Sequence, residues 1–214
     1  MDYPRFGLAS TSQFTKVWDD SGSRAKLNFG IWRPTPAPFG FLGDYPVEGH
    51  GDPSSYSRAV YIKTILDDDP AKPALKPPTS LKPIWYFPYP RWGFDNAKVI
   101  CQPVAPNGYV VCGFVGVTAR PNEDINKLHV PGLMCVRSDL IVGLENPPNM
   151  PLRFGDYFVW NDHGSRLPDS VSVFRPQSYE TGIATMWAVQ KYMTSKDKLP
   201  SYQTIKRPLC FEAE

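Results

Sequence analysis

Two widely separated segments of the chain have nearly the same sequence. Residues 17–24 read VWDDSGSR, and residues 159–166 read VWNDHGSR. Each segment is followed by a short alternating stretch that ends on Arg-Pro, at Arg33-Pro34 and at Arg175-Pro176, with the same spacing from Trp to Pro. Chance rarely reproduces two such motifs at matched offsets, so the chain contains a repeated structural unit.

A weaker third copy lies between these two. It begins at Ile84-Trp85 and continues through residues 99–103, VICQP, which parallel the IWRP stretch of the first copy. The middle copy lacks the Gly-Ser-Arg turn and has YPRWG at residues 89–93 instead. We therefore expect one domain over residues 1–214, with repeat one at about 14–66, repeat two at about 83–140 and repeat three at about 156–210.

Composition and pattern together predict an all-β fold. The chain has 24 Pro among its 214 residues, about twice the average usage, and an interior Pro costs a helix about 3 kcal/mol. Each repeat offers four short runs rich in β-branched and aromatic residues. Three such units predict a β-prism-like fold, with three four-stranded antiparallel sheets around a pseudo-threefold axis. Residues 183–192 also fit a helical period, but the repeat favours a strand there.

Charge and hydropathy exclude several classes of protein. The formal net charge is +2, which argues against a nucleic-acid partner because such proteins carry a basic excess on one face. No apolar run is long enough to span a bilayer as a helix. The sequence opens without a secretory signal pattern, so we expect a cytoplasmic protein, with non-classical export or release as the alternative.

The cysteines fit the reducing compartment expected for such a protein. The absence of a C-x-x-C pair argues against zinc and dithiol chemistry. Free thiols are expected, with a cross-hairpin disulfide between Cys101 and Cys112 as the alternative. The four cysteines are Cys101, Cys112, Cys135 and Cys210.

The sequence does not predict an enzyme. Residues 162–165 read DHGS, but neighbours in sequence cannot adopt the geometry of a catalytic triad. No nucleophile elbow and no phosphate-binding glycine loop are present. The histidines His50, His129 and His163 are far apart in sequence. We expect no catalytic residue, no cofactor and no metal.

The repeated turn is the candidate binding site. Successive backbone N–H groups in such a turn can surround an anion, and an arginine adds a planar pair of donors. A neighbouring indole would supply an apolar face, as sugar and lipid-headgroup sites do. The alternative is that the turns and their tryptophans are only scaffold. The candidate residues are Trp18, Gly22, Ser23, Arg24, Trp160, Gly164, Ser165 and Arg166.

Several stretches resemble a known family. They are residues 17–25, VWDDSGSRA; 31–34, IWRP; 38–43, PFGFLG; 106–115, PNGYVVCGFV; and 134–140, MCVRSDL. Together they are similar to the vacuolar-protein-sorting-associated protein sixty-two family, and the first repeat matches it best. The resemblance covers most of the chain and implies a β-rich domain with internal repeats. The family name implies a sorting phenotype and no particular chemistry.

These observations favour a non-enzymatic recognition module that binds a glycan or a membrane surface. Its partner would be a glycan or a lipid headgroup, through peripheral contact, and an oligomer is compatible with the sequence. The first alternative is a receptor-binding or oligomerising component of a pore-forming or insecticidal toxin, because relatives of the resembled family accompany such proteins. The second alternative is a structural or vacuolar sorting adaptor. β-Prisms often bind sugars, which is an analogy at the level of the fold.

Overall fold

The computed structural model describes residues 3–35, 40–87, 96–145, 158–167, 169–178, 181–194, 201–205 and 210–212. Across these residues the regular elements are β-strands and three single 3-10 turns, without an α-helix. The fold is therefore all-β, as the sequence predicts. The segment 183–192 holds a strand at Trp187–Val189 and no helix.

The strands are short and follow one another through turns rich in Gly, Pro, Asn and Asp, which end a β-ladder. In chain order they are β1 (Arg5–Thr11), β2 (Phe14–Asp19), β3 (Phe29–Pro34), β4 (Tyr45–Glu48), β5 (Ala59–Leu66), β6 (Leu75–Lys76), β7 (Ser80–Phe87), β8 (Ala97–Val104), β9 (Tyr109–Val110), β10 (Val115–Ala119), β11 (Cys135–Arg137), β12 (Ile141–Glu145), β13 (Phe158–Asn161), β14 (Ser172–Phe174), β15 (Trp187–Val189), β16 (Ser201–Ile205) and β17 (Cys210–Glu212).

Each repeat contributes one three-stranded antiparallel sheet to the fold. The sheets have the orders β2-β3-β4, β7-β8-β10 and β13-β14-β15. The predicted four-stranded sheets are not present among the described residues, where every sheet has two or three strands. The fourth run of each repeat pairs elsewhere: β5 pairs with β1, β11 with β6 and β9, and β16 with β12.

The first strand of each sheet carries a tryptophan at an equivalent position. The register shifts just before Trp18, Trp85 and Trp160, which pair with Ile31, Ile100 and Val173 respectively. A bulge lets a strand redirect a side chain, and here all three indoles enter one buried cluster. The ring centroids of Trp18 and Trp85 are 6.3 Å apart, and those of Trp85 and Trp160 are 5.4 Å apart. The repeats thus share one aromatic core.

Three backbone hydrogen bonds close a ring between the repeats. The amide of Asp44 donates to the carbonyl of Phe114 at 2.9 Å, and the amide of Phe114 donates to the carbonyl of Met186 at 2.7 Å. The amide of Met186 donates back to the carbonyl of Asp44 at 2.7 Å. Each of the three residues accepts a hydrogen bond from one repeat and donates a hydrogen bond to the other. The three repeats therefore meet here in an equivalent way.

The backbone packs closely beside this ring. A Cβ atom placed on Gly43 would lie 2.8 Å from the Cα of Gly113. A Cβ on Gly113 would lie 2.7 Å from the carbonyl oxygen of Leu42 and 2.7 Å from the Cβ of Thr185. Since real Cβ atoms do not approach other atoms so closely, glycine is required at these two positions.

A buried ion pair of the first repeat is hydrogen-bonded to the second repeat. Asp44 is fully buried, and both of its carboxylate oxygens accept hydrogen bonds from Arg33 at 2.8 Å. Gly116 donates its amide to the same carboxylate at 2.8 Å, and its carbonyl accepts from Arg33 at 2.9 Å. Burial raises the pKa of the Asp44 carboxyl, and the charge of Arg33 opposes that rise.

The cysteines described by the structure are free thiols. Cys101, Cys112 and Cys135 are buried and unpaired, so the alternative of a Cys101–Cys112 disulfide is wrong. Burial raises the pKa of Cys101 to about 12 and that of Cys135 to about 11, and it raises the pKa of Cys112 as well. The side chain of Cys210 lies outside the described residues. These buried thiols are inert packing residues.

Candidate functional site

The two repeated turns have the same backbone and lie against each other. The φ angles are 85° at Gly22 and 63° at Arg24, and 96° at Gly164 and 61° at Arg166. The amide of Lys26 donates to the carbonyl of His163 at 2.8 Å. A Cβ on Gly164 would lie 2.9 Å from the carbonyl oxygen of Arg24. The fold therefore brings the two predicted turns together at one corner of the molecule.

A buried carboxylate organises the first turn. One oxygen of Asp20 accepts a hydrogen bond from the amide of Phe29 at 2.9 Å and lies 2.7 Å from Nε2 of His50. The other oxygen accepts from the hydroxyl of Ser23 and from the indole Nε1 of Trp160, both at 3.1 Å. Asp20 thus fixes the turn and ties it to the third repeat.

Asp162 has the equivalent place in the third repeat. It accepts from the amide of Val171 at 3.1 Å and from the hydroxyl of Ser165 at 3.4 Å. Burial raises the pKa of the Asp162 carboxyl, and the Val171 and Ser165 hydrogen bonds oppose that rise. Both repeats therefore build the turn on an aspartate two residues after the tryptophan.

Trp18 and Trp160 are core residues, which corrects the expectation that they offer apolar faces to a ligand. Trp18 is 4% exposed and Trp160 is 0% exposed. The register shift just before each tryptophan directs these indoles inward, where they complete the shared aromatic cluster. The indole of Trp160 also supports the first turn, because its Nε1 donates to Asp20 and to the carbonyl of Leu27.

The serines of the turns are also occupied inside the protein. Ser23 is 3% exposed, and its hydroxyl accepts from the amide of Ala25 at 3.0 Å while its own amide donates to the carbonyl of Asp20. The hydroxyl of Ser165 accepts from the amide of Leu167 at 3.2 Å in the same way. Several backbone N–H groups of each turn are therefore already hydrogen-bonded inside the protein.

The exposed side chains of this corner are basic or apolar. Arg24, Lys26 and Arg166 are exposed beside the point where the turns touch. Leu27 is 43% exposed and Tyr192 is 46% exposed, and Tyr192 packs on His163 with ring centroids 5.2 Å apart. We name this surface the basic corner and define it by six residues: Arg24, Lys26, Leu27, His163, Arg166 and Tyr192.

Backbone strain marks the two arginines of the basic corner. A residue with a Cβ pays about 1–2 kcal/mol to adopt the left-handed conformation, in which glycine or asparagine is usual. Arg24 and Arg166 both adopt it, at equivalent positions of two repeats, and both side chains are exposed. Burial in the core therefore does not explain arginine at either position. The equivalent stretch of the middle repeat, residues 89–93, lies outside the described residues.

Sequence reasoning found only part of this surface. It identified both arginines, but not the contributions of Lys26, Leu27, His163 and Tyr192. Lys26 and Leu27 directly follow the first turn, so their place in the corner could have been noticed. Tyr192 carries no such sequence pattern, because a tertiary contact with His163 brings it there.

Metal ligands do not cluster in the part of the chain that the structure describes. There, no three His, Cys, Asp or Glu side chains are grouped so that they could hold a metal ion. Within the same residues, no helix has the length and apolar character needed to cross a membrane.

The fold is all-β, with three three-stranded sheets that each carry a core tryptophan in the same register, and two of these sheets lead into the same exposed arginine turn. The family model described as "Vacuolar protein sorting-associated protein 62" matches residues 4–186. The chain belongs to this family, as its motifs indicate.

One solved structure is similar to the chain along most of its length. The crystal structure of GNIP1Aa from Chromobacterium piscinae superposes with a TM-score of 0.64 at 18% sequence identity, which shows a shared fold. The match covers 88% of this chain and 33% of GNIP1Aa, so the chain spans about a third of that protein. Among curated proteins, none is significantly similar to the chain.

Proposed function

We propose that the chain is a non-enzymatic recognition module whose basic corner binds anionic groups on a glycan or on the lipid headgroups of a membrane surface. The observation that carries this proposal is the pair of strained, exposed arginines at equivalent positions of two repeats. Residues held in such sparsely populated backbone conformations cluster at binding and active sites.

The chemistry of the corner fits an anionic ligand. A guanidinium presents a flat set of donors that matches phosphate, sulfate and carboxylate oxygens. Lys26 adds a third positive charge beside the two arginines. Leu27 and Tyr192 add apolar contact, which a sugar ring or the interfacial layer of a membrane would accept.

We also propose that the three tryptophan-bearing sheets are the faces of a β-prism, with the pseudo-threefold axis passing through the backbone ring of Asp44, Phe114 and Met186. The matched registers at the three tryptophans support this arrangement. It places the two Gly-Ser-Arg turns next to each other because they belong to neighbouring faces.

A second candidate function is a receptor-binding or oligomerising part of a larger, pore-forming assembly. The observation in its favour is that a domain of this fold accounts for about a third of GNIP1Aa, so the fold is used as one part of a longer chain. A vacuolar sorting adaptor is the role that the family description favours. Both roles would need a ligand-binding surface, and the basic corner would supply it.

A double arginine variant tests the proposal. We expect Arg24→Ala with Arg166→Ala to weaken binding to anionic vesicles or to a sulfated glycan by about 10- to 30-fold, since each cation near an anionic surface contributes about 1 kcal/mol. The melting curve should hardly change, because exposed substitutions usually stay within about 0.5 kcal/mol. Vesicle pelleting and a glycan array distinguish the two sources of anionic groups.

A charge-matched variant serves as the control. Arg120→Ala with Lys127→Ala removes two exposed cations that are not part of the basic corner, and it should bind like the parent protein. If both double variants lose binding equally, the effect is net charge alone and the corner is not the site. If neither variant loses binding, the turns are scaffold.

A further inference from the structure

An open groove of about 420 Å³ lies between the second and third repeats, and none of the residues that line it belongs to the basic corner. Trp187, which is partly buried, forms part of its wall. None of the described residues that line the groove is charged. They are Gln102, Pro103, Val104, Ala105, Val110, Val111 and Trp187.

The groove is the third of three equivalent places between repeats. Arg33, Gln102 and Arg175 each lie two residues after the central strand residue that pairs with a core tryptophan, and each is followed by proline. Two of the three positions therefore hold an arginine, and the third holds a shorter, uncharged glutamine.

The two arginines reach equivalent acceptors on the next repeat. Arg175 donates to the carbonyl of Pro46 at 3.2 Å, and Arg33 donates to the carbonyl of Gly116 at 2.9 Å. Pro46 and Gly116 each lie two residues after a member of the backbone ring. Ala188 lies two residues after the third member of the ring and has the same strand register as Pro46 and Gly116. Ala188 is therefore the equivalent acceptor position for Gln102.

Arg175 also stacks on an aromatic ring. Its guanidinium carbon lies 4.9 Å from the ring centroid of Tyr45, the residue that precedes Pro46. Trp187 precedes Ala188 and so has the place of Tyr45 in the third repeat. The groove thus has the aromatic wall of the Arg175 site, but the chain supplies no guanidinium among the described residues that line it.

We propose that this groove binds the guanidinium group of an arginine side chain on a partner protein. The incoming group would stack on Trp187 and donate to the backbone of β15, as Arg175 does with Tyr45 and β4. Indole is the best aromatic surface for a cation, and the weakly hydrated faces of a guanidinium suit apolar walls such as Val104 and Val111. This site is independent of the basic corner, which binds the opposite charge.

Filling the groove from within tests the assignment. Gln102→Arg should raise the Tm by about 2–4 °C, because a new stacking and hydrogen-bonding contact of about 1 kcal/mol has that effect in a chain of this size. Gln102→Lys supplies the charge without the flat donor group, so its Tm should rise less. An unchanged or lowered Tm of Gln102→Arg would overturn the equivalence of the three places.

Direct binding is measured with N-acetyl-arginine methylamide as the probe on the full chain. The indole N–H resonance of Trp187, assigned with Trp187→Phe, should shift with saturation at millimolar probe, and the shift should disappear in Gln102→Arg. The lysine analogue and choline should bind several-fold more weakly. Equal binding of choline, or equal binding of the probe to Gln102→Arg, would overturn the proposal. Arg24→Ala with Arg166→Ala should leave this titration unchanged, which keeps it separate from the proposed function.

Discussion

The Asp44→Ala variant is expected to lose about 3–5 kcal/mol of its free energy of unfolding. Asp44 is fully buried and accepts two hydrogen bonds from Arg33 and one from the amide of Gly116. Removing the carboxylate leaves a largely buried guanidinium and a buried N–H group without their partner, and breaking a buried ion pair in this way is strongly destabilising.

Urea unfolding of the parent and the variant measures this loss. Asp67→Ala is the matched control, because Asp67 pairs with Arg5 at the surface, where about half of each side chain is exposed. Such a pair contributes about 0–1 kcal/mol. Similar losses for Asp44→Ala and Asp67→Ala would contradict the structural role given to Asp44.

The second large effect is expected from Gly113→Ala, which should cost about 3 kcal/mol. The added methyl group would overlap the carbonyl oxygen of Leu42 and the Cβ of Thr185, each at 2.7 Å. Both neighbours are parts of the packed backbone region beside the ring of Asp44, Phe114 and Met186, so neither can move without disturbing the contacts between repeats. Overpacking of a tight core costs about 1–3 kcal/mol, and more where the backbone must shift.

Gly51→Ala is the control for this substitution. A Cβ atom placed on Gly51 would have no neighbouring atom within 4 Å, and the φ angle of Gly51 is not positive. Its replacement should change the free energy of unfolding by no more than about 1 kcal/mol. If thermal or urea unfolding gives the same result for both variants, the repeats do not pack as closely at Gly113 as described.

The sequence was sufficient to predict the all-β class and the equivalent positions of Trp18, Trp85 and Trp160. These features depend on side-chain patterns that recur along the chain. One example is the Val-Trp pair at Trp18 and at Trp160, each with an aspartate two residues after the tryptophan. The number of strands in each sheet could not be predicted in this way. The runs at β5, β11 and β16 look like fourth strands, and only tertiary packing decides that they pair with strands outside the three central sheets.

The candidate site shows the same division between local and tertiary information. Glycine and serine after an aspartate indicate a tight turn, and the structure has that turn twice. The sequence could not tell whether Trp18 and Trp160 face a ligand or the core, because an aromatic residue before a turn suits both. The sequence also could not predict that the two turns lie in contact. The hydrogen bond from the amide of Lys26 to the carbonyl of His163 joins residues that are far apart along the chain.

Arg24 and Arg166 both have a strained, left-handed backbone. Our proposal explains this strain by the binding of a ligand to their side chains. Replacing both with glycine tests this claim most directly, because glycine removes the side chains and the strain together. Relief of the left-handed conformation is worth about 1–2 kcal/mol for each residue, and the greater freedom of glycine in the unfolded chain takes back about 0.4–1 kcal/mol.

The decisive measurement is therefore the Tm of Arg24→Gly with Arg166→Gly, paired with its binding to anionic vesicles and to a sulfated glycan. We predict a Tm equal to or above that of the parent protein, together with at least about tenfold weaker binding. A clearly lower Tm with undiminished binding would show that the two arginines support the fold and that the ligand binds elsewhere.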